Sequence, residues 1–291
     1  MSLFVNKGEQ VSQPFKAGTY NTINFKFQKG TAVGSTQDID LTKCNFGLKL
    51  YMGGGQTSEV VRYTNLYVLT LESAAKYSNT IAMTSGVITL PDTMALGDWA
   101  VLTIDLEGFI QCVGNDYLDA NLQIQDGAST TTFTVSATLP KACGVMDSIP
   151  TIDVVQVQNG VTMREEFLGD DITRITLCSS GSENLEQVVL NSDKYSPILE
   201  QSDIAVQTDE YSNSASSSIE SAYNAGDRAK IIFTGDIDNV ELDNVSVNLT
   251  FDTSTSGSWL VIRRNKTSRA LASYADSVRS KHSRKRWGKK A

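Results

Sequence analysis

Residues 245–251 read Val-Ser-Val-Asn-Leu-Thr-Phe, and every second side chain in this stretch is apolar. Residues 133–139, Phe-Thr-Val-Ser-Ala-Thr-Leu, show the same alternation. Successive side chains of a β-strand point to opposite faces of a sheet. A period of two therefore predicts strands that bury one face and expose the other. Both stretches contain β-branched residues, which suit a pleated surface.

Further apolar runs of this kind extend through the chain. They lie at residues 23–27, 48–50, 65–71, 87–90, 99–106, 172–178, 185–190, 231–234 and 259–262. Turns rich in Gly, Asn, Asp and Ser separate the runs, which favours β-sandwiches or barrels over βαβ units. Short helices are predicted at residues 73–77 and 219–225, where Ala and Glu cluster.

The 291 residues are enough for two domains, and hydrophobic residues make up 40% of them. A boundary is predicted at residues 140–150, a segment that begins and ends with proline and follows the strand at 133–139. We therefore expect one all-β domain in residues 1–139, a linker in 140–150 and a second all-β domain in 151–262. Each half is long enough for an eight-stranded sandwich.

Several classes of function are disfavoured by composition. The chain has one histidine, His282, and its four cysteines form no CxxC motif. Catalysis by Ser-His-Asp, Cys-His or His-bound metal therefore lacks its usual residues, and buried free thiols are expected for the cysteines. No apolar run approaches the roughly 20 residues that span a bilayer, and no signal peptide is evident. We expect a soluble protein made in the cytoplasm, without a cofactor.

The C-terminal segment differs from the rest in charge and periodicity. Residues 263–291 contain eleven Lys or Arg and one acid, a net charge of +10, whereas residues 1–262 carry −18. Leu271, Tyr274, Ala275 and Val278 form one apolar stripe of a predicted helix. The residues expected to face an anionic surface are Arg269, Arg279, Lys281, Arg284, Lys285, Arg286, Trp287, Lys289 and Lys290.

This basic tail allows three interpretations. A basic amphipathic helix with a nearby tryptophan suits the headgroups of an anionic membrane. The same charges could neutralise the phosphates of a nucleic acid. The third interpretation is a solvated, disordered run of charge.

Three other groups of residues are candidate sites. Gly53-Gly54-Gly55 lacks the lysine of a phosphate-binding loop and predicts a hairpin turn. Closely spaced carboxylates could hold calcium but do not match an EF-hand loop, so a solvated acidic turn is expected; they are Asp236, Asp238, Glu241 and Asp243. Glu165-Glu166 and Asp170-Asp171 could serve as acid and base for glycoside hydrolysis, but an exposed loop is expected there.

The chain resembles the double jelly-roll major capsid proteins of icosahedral bacterial viruses with an internal membrane, of the tectivirus, corticovirus and finnlakevirus types. The resemblance is one of architecture. It rests on strand runs around Phe25, Phe133, Ile175, Ile231 and Leu249, on the Pro140–Pro150 junction and on the tail from Arg263. In some members the membrane-proximal helix is N-terminal, whereas here the basic segment is C-terminal.

The resemblance implies a structural role and no enzyme activity. Two consecutive jelly rolls would form a homotrimer, and this pseudo-hexagonal tile would pack into the shell of a virion. The tail would contact anionic lipid of the internal membrane, or else the genome, and other virion proteins would be further partners. No small-molecule substrate is implied, and synthesis in the host cytoplasm is expected.

Other classes of protein stay open. One is a two-domain β-sandwich phage protein that binds carbohydrate or a receptor, which would expose clustered aromatic side chains in a groove. Another is a jelly-roll polysaccharide lyase or glycosidase that uses carboxylates and tyrosine. The last is a nucleoprotein whose tail binds the genome.

Overall fold

The computed structural model of the protein describes residues 2–76, 83–144, 146, 148–179, 183–211, 228–235 and 241–266. These residues form 17 β-strands and two α-helices. The strands of the first half are β1 (Ser2–Asn6), β2 (Gln10–Gln28), β3 (Gln37–Asp40), β4 (Cys44–Tyr51), β5 (Thr57–Asn65), β6 (Met83–Thr84), β7 (Val87–Leu90), β8 (Trp99–Ile124) and β9 (Thr134–Thr138).

The strands of the second half are β10 (Ile149–Gln156), β11 (Met163–Gly169), β12 (Ile172–Ser179), β13 (Leu185–Asn191), β14 (Ile198–Glu200), β15 (Arg228–Thr234), β16 (Val245–Phe251) and β17 (Ser258–Lys266). Helix α1 is Leu66–Lys76 and helix α2 is Gln201–Tyr211. The all-β class predicted from the alternating runs is confirmed.

The second half has the strand order of a jelly roll. Strands β10, β17, β12 and β15 are neighbours in one sheet, and β11, β16, β13 and β14 form a separate four-stranded sheet. All pairs within these two groups are antiparallel. The chain crosses repeatedly between the two sheets, which places their apolar faces against each other.

The first half is built on two long strands. Strands β2 and β8 pair from Gln10 opposite Gln123 to Gln28 opposite Trp99, with two shifts in register. Together with β1, β9, β4 and β5 they form a six-stranded region, and β3, β7 and β6 form a separate small sheet. The two halves share one sheet of ten strands, because β5 pairs in parallel with β10 at Val61 and Ile152.

Buried apolar side chains form two clusters, one in each half. The first is drawn from residues 3–152 but also includes Cys178 and Val261 from the second half. The second lies entirely within residues 157–262. Strands β12 and β17 therefore contribute to both cores, which ties the halves together by packing as well as by strand pairing.

The strongest strand predictions are confirmed. Val245, Val247 and Leu249 of β16 are fully buried, while the residues between them are only partly covered. In β9 the alternation is less strict, because Ser136 is buried together with its apolar neighbours Val135 and Ala137. Strict alternation is expected only where one face of a strand is exposed to solvent, and this part of β9 is buried on both faces.

The strand predicted at residues 65–71 is wrong, because helix α1 begins at Leu66. The Asn65 side chain accepts a hydrogen bond from the backbone N–H of Val68 at 3.0 Å, as an N-cap does. The leucines and valine that follow are buried on all sides, so the run lacks the polar face of an amphipathic helix. The helix predicted at residues 73–77 coincides with the end of this longer one as far as Lys76, and Tyr77 lies outside the described residues. Helix α2 was not predicted, and residues 219–225 lie outside the described residues.

The structure bears on the predicted end of the last strand and on the predicted linker. The strand pattern was expected to end at Ile262, but β17 continues to Lys266, so residues 263–266 belong to the sheet and not to a helical tail. The predicted linker is also partly structured, since β10 begins at Ile149 and the N–H of Ala142 donates to the carbonyl of Thr19. The division into two domains with a linker and a tail stays a prediction.

Candidate functional site

Buried charged side chains join the two halves. Glu72 of α1 lies between Arg263 of β17 and Arg174 of β12, and each of the three is at most 3% exposed. Arg263 holds the carboxylate with two parallel hydrogen bonds, Nε to Oε1 at 2.8 Å and Nη2 to Oε2 at 2.7 Å. Arg174 donates through Nη2 to Oε1 of the same carboxylate. The fork of arginine donors matches the carboxylate geometry.

Glu107 of β8 supplies the second negative charge. Its Oε1 accepts a hydrogen bond from Nη1 of Arg174, and its Oε2 lies 3.7 Å from Nη1 of Arg263. The same Arg263 nitrogen donates to the carbonyl of Asp105 at 2.7 Å. Two arginines and two glutamates therefore form a balanced set, which we call the charge cluster.

A bulge in β8 brings Glu107 to the arginines. The β2–β8 register shifts between Tyr20 and Thr22, and residues 106–109 bulge out of the ladder. Glu107 adopts a left-handed backbone with φ +57°, and its N–H donates to the Asp105 side chain at 2.8 Å. Bulges of this kind re-aim a side chain, here towards the junction between the halves.

The charge cluster is stable only as a set. Burial by itself raises the pKa of Glu72, but the charges and hydrogen bonds of Arg174 and Arg263 outweigh it and lower that pKa to about 2. Burial likewise disfavours the charged form of Arg263, yet Glu72 and Glu107 raise its pKa. Removing one partner from such a buried pair typically costs about 3–5 kcal/mol, because the remaining charge is left uncompensated.

We expect acid to weaken the folded state through Glu72. Its folded pKa is about 2 and its ordinary value is 4.5. Its contribution to stability is therefore complete above about pH 4.5 and is lost as the pH falls towards 2. Urea unfolding of the full chain between pH 5 and 2 should show this loss, and Glu72→Gln should flatten it. Glu59→Gln, at an exposed strand position, is the control; equal pH dependence in both variants would contradict the assignment.

Two features of the sequence indicate the arginines of the charge cluster. Arg174 interrupts the apolar run at 172–178, and Arg263 directly follows the run at 259–262. A charged residue inside a buried strand requires a partner of opposite sign. The identity of that partner was out of reach, because Glu72 lies 191 residues from Arg263.

The four-stranded sheet of the second half exposes large apolar side chains. Met163 and Phe167 of β11 are 61% and 70% exposed, and Ile198 of β14 is 62% exposed. The register places all three on the same outer face, at the two edges of the sheet. We call this set the outer apolar face. The three side chains expose apolar surface on one sheet face, and exposed apolar surface can mark a contact with another protein.

The candidate metal-binding carboxylates are only partly described. Asp236 and Asp238 lie outside the described residues. Near the other two, Nζ of Lys194 donates to the Glu241 carbonyl at 3.0 Å and lies 3.8 Å from Asp243 Oδ2. Burial raises the pKa of Glu241, and nearby carboxylates add to that shift. In the described ranges, no three His, Cys, Asp or Glu side chains are arranged to hold a metal ion.

An exposed loop was predicted for the acidic pair Glu165-Glu166, but both residues lie in strand β11. Adjacent residues of a strand point to opposite faces, so these two carboxylates do not act together. Glu166 accepts a hydrogen bond from Nε of Arg164 at 2.7 Å. Asp170-Asp171 does form the turn between β11 and β12, where Asp170 accepts from the N–H of Asn244 at 2.8 Å.

Gly53-Gly54-Gly55 is the hairpin turn that was predicted. It connects β4 to β5, the N–H of Met52 donates to the carbonyl of Gln56 at 2.9 Å, and Gly55 has φ +82°. A positive φ at the last position suits glycine, which has no Cβ to clash.

The cysteines match their prediction at three of four positions. Cys44, Cys112 and Cys178 are buried free thiols, whereas Cys143 is free but exposed. Burial, reinforced by nearby Asp40, raises the pKa of Cys44 to about 12. A thiol with such a pKa stays protonated at neutral pH and is a poor nucleophile.

The basic residues predicted to face an anionic surface, Arg269 to Lys290, lie outside the described residues. Neither described helix is long and apolar enough to cross a membrane.

Comparison with known proteins supplies structural matches alone. No protein-family model matches the chain, and no curated protein matches it significantly in sequence. The structure is similar to that of the major capsid protein P2 from bacteriophage PM2, with a TM-score of 0.50, 14% identity, and coverage of 92% of this chain and 99% of that chain.

Two further structures are less similar. A chain of the Sputnik virophage gives a TM-score of 0.41 at 7% identity, covering 91% of this chain and 85% of that one. Peptide:N-glycanase F gives 0.30 at 8% identity, covering 91% and 96%. These two scores support no further conclusion.

The fold is therefore the predicted one, two consecutive jelly rolls, and it is shared with a viral major capsid protein along nearly the whole length of both chains.

Proposed function

We propose that this chain is the major capsid protein of a virus, with a structural and not a catalytic role. One observation carries the proposal. The similarity to the PM2 protein extends over 92% of this chain and 99% of that one, so it includes both jelly rolls and their arrangement in one chain. A resemblance confined to one sandwich would carry little weight, since that architecture serves many functions.

The proposed mechanism is assembly through trimers. Three chains with two jelly rolls each place six similar sandwiches around a threefold axis. Such a pseudo-hexagonal tile can pave a flat facet through heterologous contacts between neighbours. The charge cluster supports this role, because hydrogen bonds between Glu72 and both arginines hold the two halves in a fixed relation.

The outer apolar face is a proposed contact between subunits. Met163, Phe167 and Ile198 lie on one sheet face, and their burial against another subunit would remove apolar surface from water. Residues 1–262 carry a net charge of −18, which would keep free subunits apart until such contacts form.

The tail is proposed to lie against anionic lipid headgroups of an internal membrane, with the genome as the other anionic partner. Eight of the eleven basic residues of 263–291 follow Lys266, where β17 ends. Trp287 supports a membrane interface, where its ring prefers to lie. Under this proposal the protein is made in the host cytoplasm, contacts other virion proteins and takes no cofactor or small-molecule substrate.

We expect the purified full-length protein to be a stable trimer. Light scattering after size exclusion at moderate salt should give three times the monomer mass across a range of concentrations. A clean monomer at high concentration would overturn the capsid proposal and favour a carbohydrate- or receptor-binding protein. Phe167→Glu, with Val33→Glu at an equally exposed loop position as control, tests whether the outer apolar face takes part.

We expect a chain cut after Lys266 to keep its oligomeric mass and lose its binding to anionic liposomes. The cut removes the tail charges but leaves β17 complete. Co-sedimentation with phosphatidylserine vesicles at two salt concentrations measures the loss, and neutral phosphatidylcholine vesicles are the control. Equal vesicle binding by the cut and full-length chains would contradict the membrane role. Binding to DNA but not to vesicles would assign the tail to the genome.

A further inference from the structure

A cleft of about 470 Å³ opens at one end of the first half. It lies where the ends of β1 and β2 meet Leu96 and residues 132–134. Its volume falls within the range of about 300–1,000 Å³ that is usual for small-molecule sites.

The polar groups of the cleft are amides, hydroxyls and ammonium groups. Gln28 donates to the Gly97 carbonyl at 3.1 Å, Asn6 accepts from Thr134 Oγ1 at 2.9 Å, and Lys7 donates to the Ser129 carbonyl at 3.2 Å. These bonds hold the side chains in place. They leave Oε1 of Gln28 and two ammonium protons of Lys7 unpaired within the described residues, and no carboxylate lines the cleft.

The floor of the cleft is held by close backbone packing. A Cβ on Gly30 would lie 1.8 Å from the carbonyl oxygen of Thr132, so only glycine allows the two segments to approach. The buried Gln37 side chain accepts from the N–H of Gly30 at 2.7 Å and donates to the Thr132 carbonyl at 3.1 Å. These contacts fix the loop residues Gly30 and Thr132, which line the cleft, against each other.

An exposed aromatic pair, Trp99 and Phe4, lies next to residues that line the cleft, although neither ring lines it. Trp99 is the strand partner of Gln28, and Phe4 lies on the same face of β1 as Asn6. The two rings meet edge to face with 6.4 Å between their centroids. Trp99 remains 38% exposed and Phe4 58% exposed, so both rings present apolar surface beside the polar groups.

We propose that the cleft and the aromatic pair form a binding site for a pyranose oligosaccharide. A pyranose has an apolar face of C–H groups, which would lie on Trp99 and Phe4. Hydroxyl groups around its edge would meet the amide of Gln28 and the ammonium of Lys7, which can also face the carboxylate of an acidic sugar. This site lies outside the charge cluster and does not depend on the capsid proposal.

Titration calorimetry of the full-length protein tests the site. The probes are hexamers of glucose, galactose, mannose and galacturonate, the last of which separates acidic from neutral ligands. We expect saturable binding of at least one hexamer and a loss of at least tenfold in affinity for Trp99→Ala. Tyr195→Ala, which removes an exposed aromatic ring from the other half, should leave the affinity unchanged. If Trp99→Ala does not fold, Phe4→Ser at the more exposed ring should weaken binding at least threefold.

Three results would overturn the site. They are no saturable binding of any hexamer at millimolar concentration, an equal loss in Tyr195→Ala, or unchanged affinity in Trp99→Ala. If Trp99→Ala keeps its affinity and also changes the oligomeric mass, the aromatic pair is a contact between subunits. Failure here leaves the trimer measurement unaffected, so the two proposals are tested separately.

Discussion

A chain cut after Ile262 is expected not to fold, whereas one cut after Lys266 should retain its β-sheet circular dichroism. The shorter chain lacks Arg263, which makes the bidentate pair with the buried carboxylate of Glu72. Glu72 would be left with Arg174 as its one remaining arginine. Loss of a partner from a buried pair costs about 3–5 kcal/mol, a large fraction of the stability of a typical domain.

The shorter cut also removes strand pairing. Arg263 and Arg264 lie opposite Ile152 and Thr151 of β10, and these pairs close the sheet next to the junction. To separate the charge from the strand, Arg263→Met in the full chain keeps the backbone and removes only the guanidinium. It should lower the free energy of unfolding in urea by about 3–5 kcal/mol.

The matched control for this variant is Arg269→Met, which removes a tail arginine and should leave the urea midpoint unchanged. Glu72→Gln combined with Arg263→Met should recover part of the loss, because neither charge is then left alone. Equal urea midpoints for the chains cut after Ile262 and after Lys266 would contradict the role given to Arg263.

Val247→Asp is expected to unfold the second half. Val247 is fully buried at the centre of β16, between Glu166 of β11 and Leu190 of β13 in the two neighbouring ladders. An aspartate side chain there would enter the second apolar core without a partner, at a cost of several kcal/mol.

Thr250→Asp is the control, since Thr250 points to the opposite face and lies opposite the uncharged residues Met163 and Gln187. Thermal unfolding followed by circular dichroism should show a large loss of stability for Val247→Asp and little change for the control. The reverse pattern would mean that the register of β16 is off by one residue, because such a slip exchanges the two faces of the strand.

The local pattern of apolar and polar residues explains which strands and helices could be predicted from the sequence. The alternation in Val245–Phe251 directly reports a strand with one buried face, and burial of its apolar residues follows. The run at 65–71 has no such alternation, and its conformation depends on the Asn65 cap and on burial from every side. Short apolar runs without a period fit a buried strand and a buried helix equally well.

The candidate sites also divide into those that local sequence predicts and those that depend on residues distant in the chain. The glycine turn at 53–55 and the buried state of Cys44 follow from local composition, and both were predicted. The charge cluster was missed, and Arg263 was placed in the tail with the basic residues that follow it. Arg263 directly follows the apolar run at 259–262, but no neighbouring residue identifies its partner Glu72, which comes from a distant part of the chain.

The sequence alone therefore determined that this chain is a two-part β protein with a basic C-terminal segment, because strand periodicity and charge are properties of neighbouring residues. Only the tertiary structure decided where the last strand ends, which charges are buried together, and that the rings of Trp99 and Phe4 meet. These features arise where distant segments meet in the folded sheets, and the free energy of each contact depends on partners that no local pattern identifies.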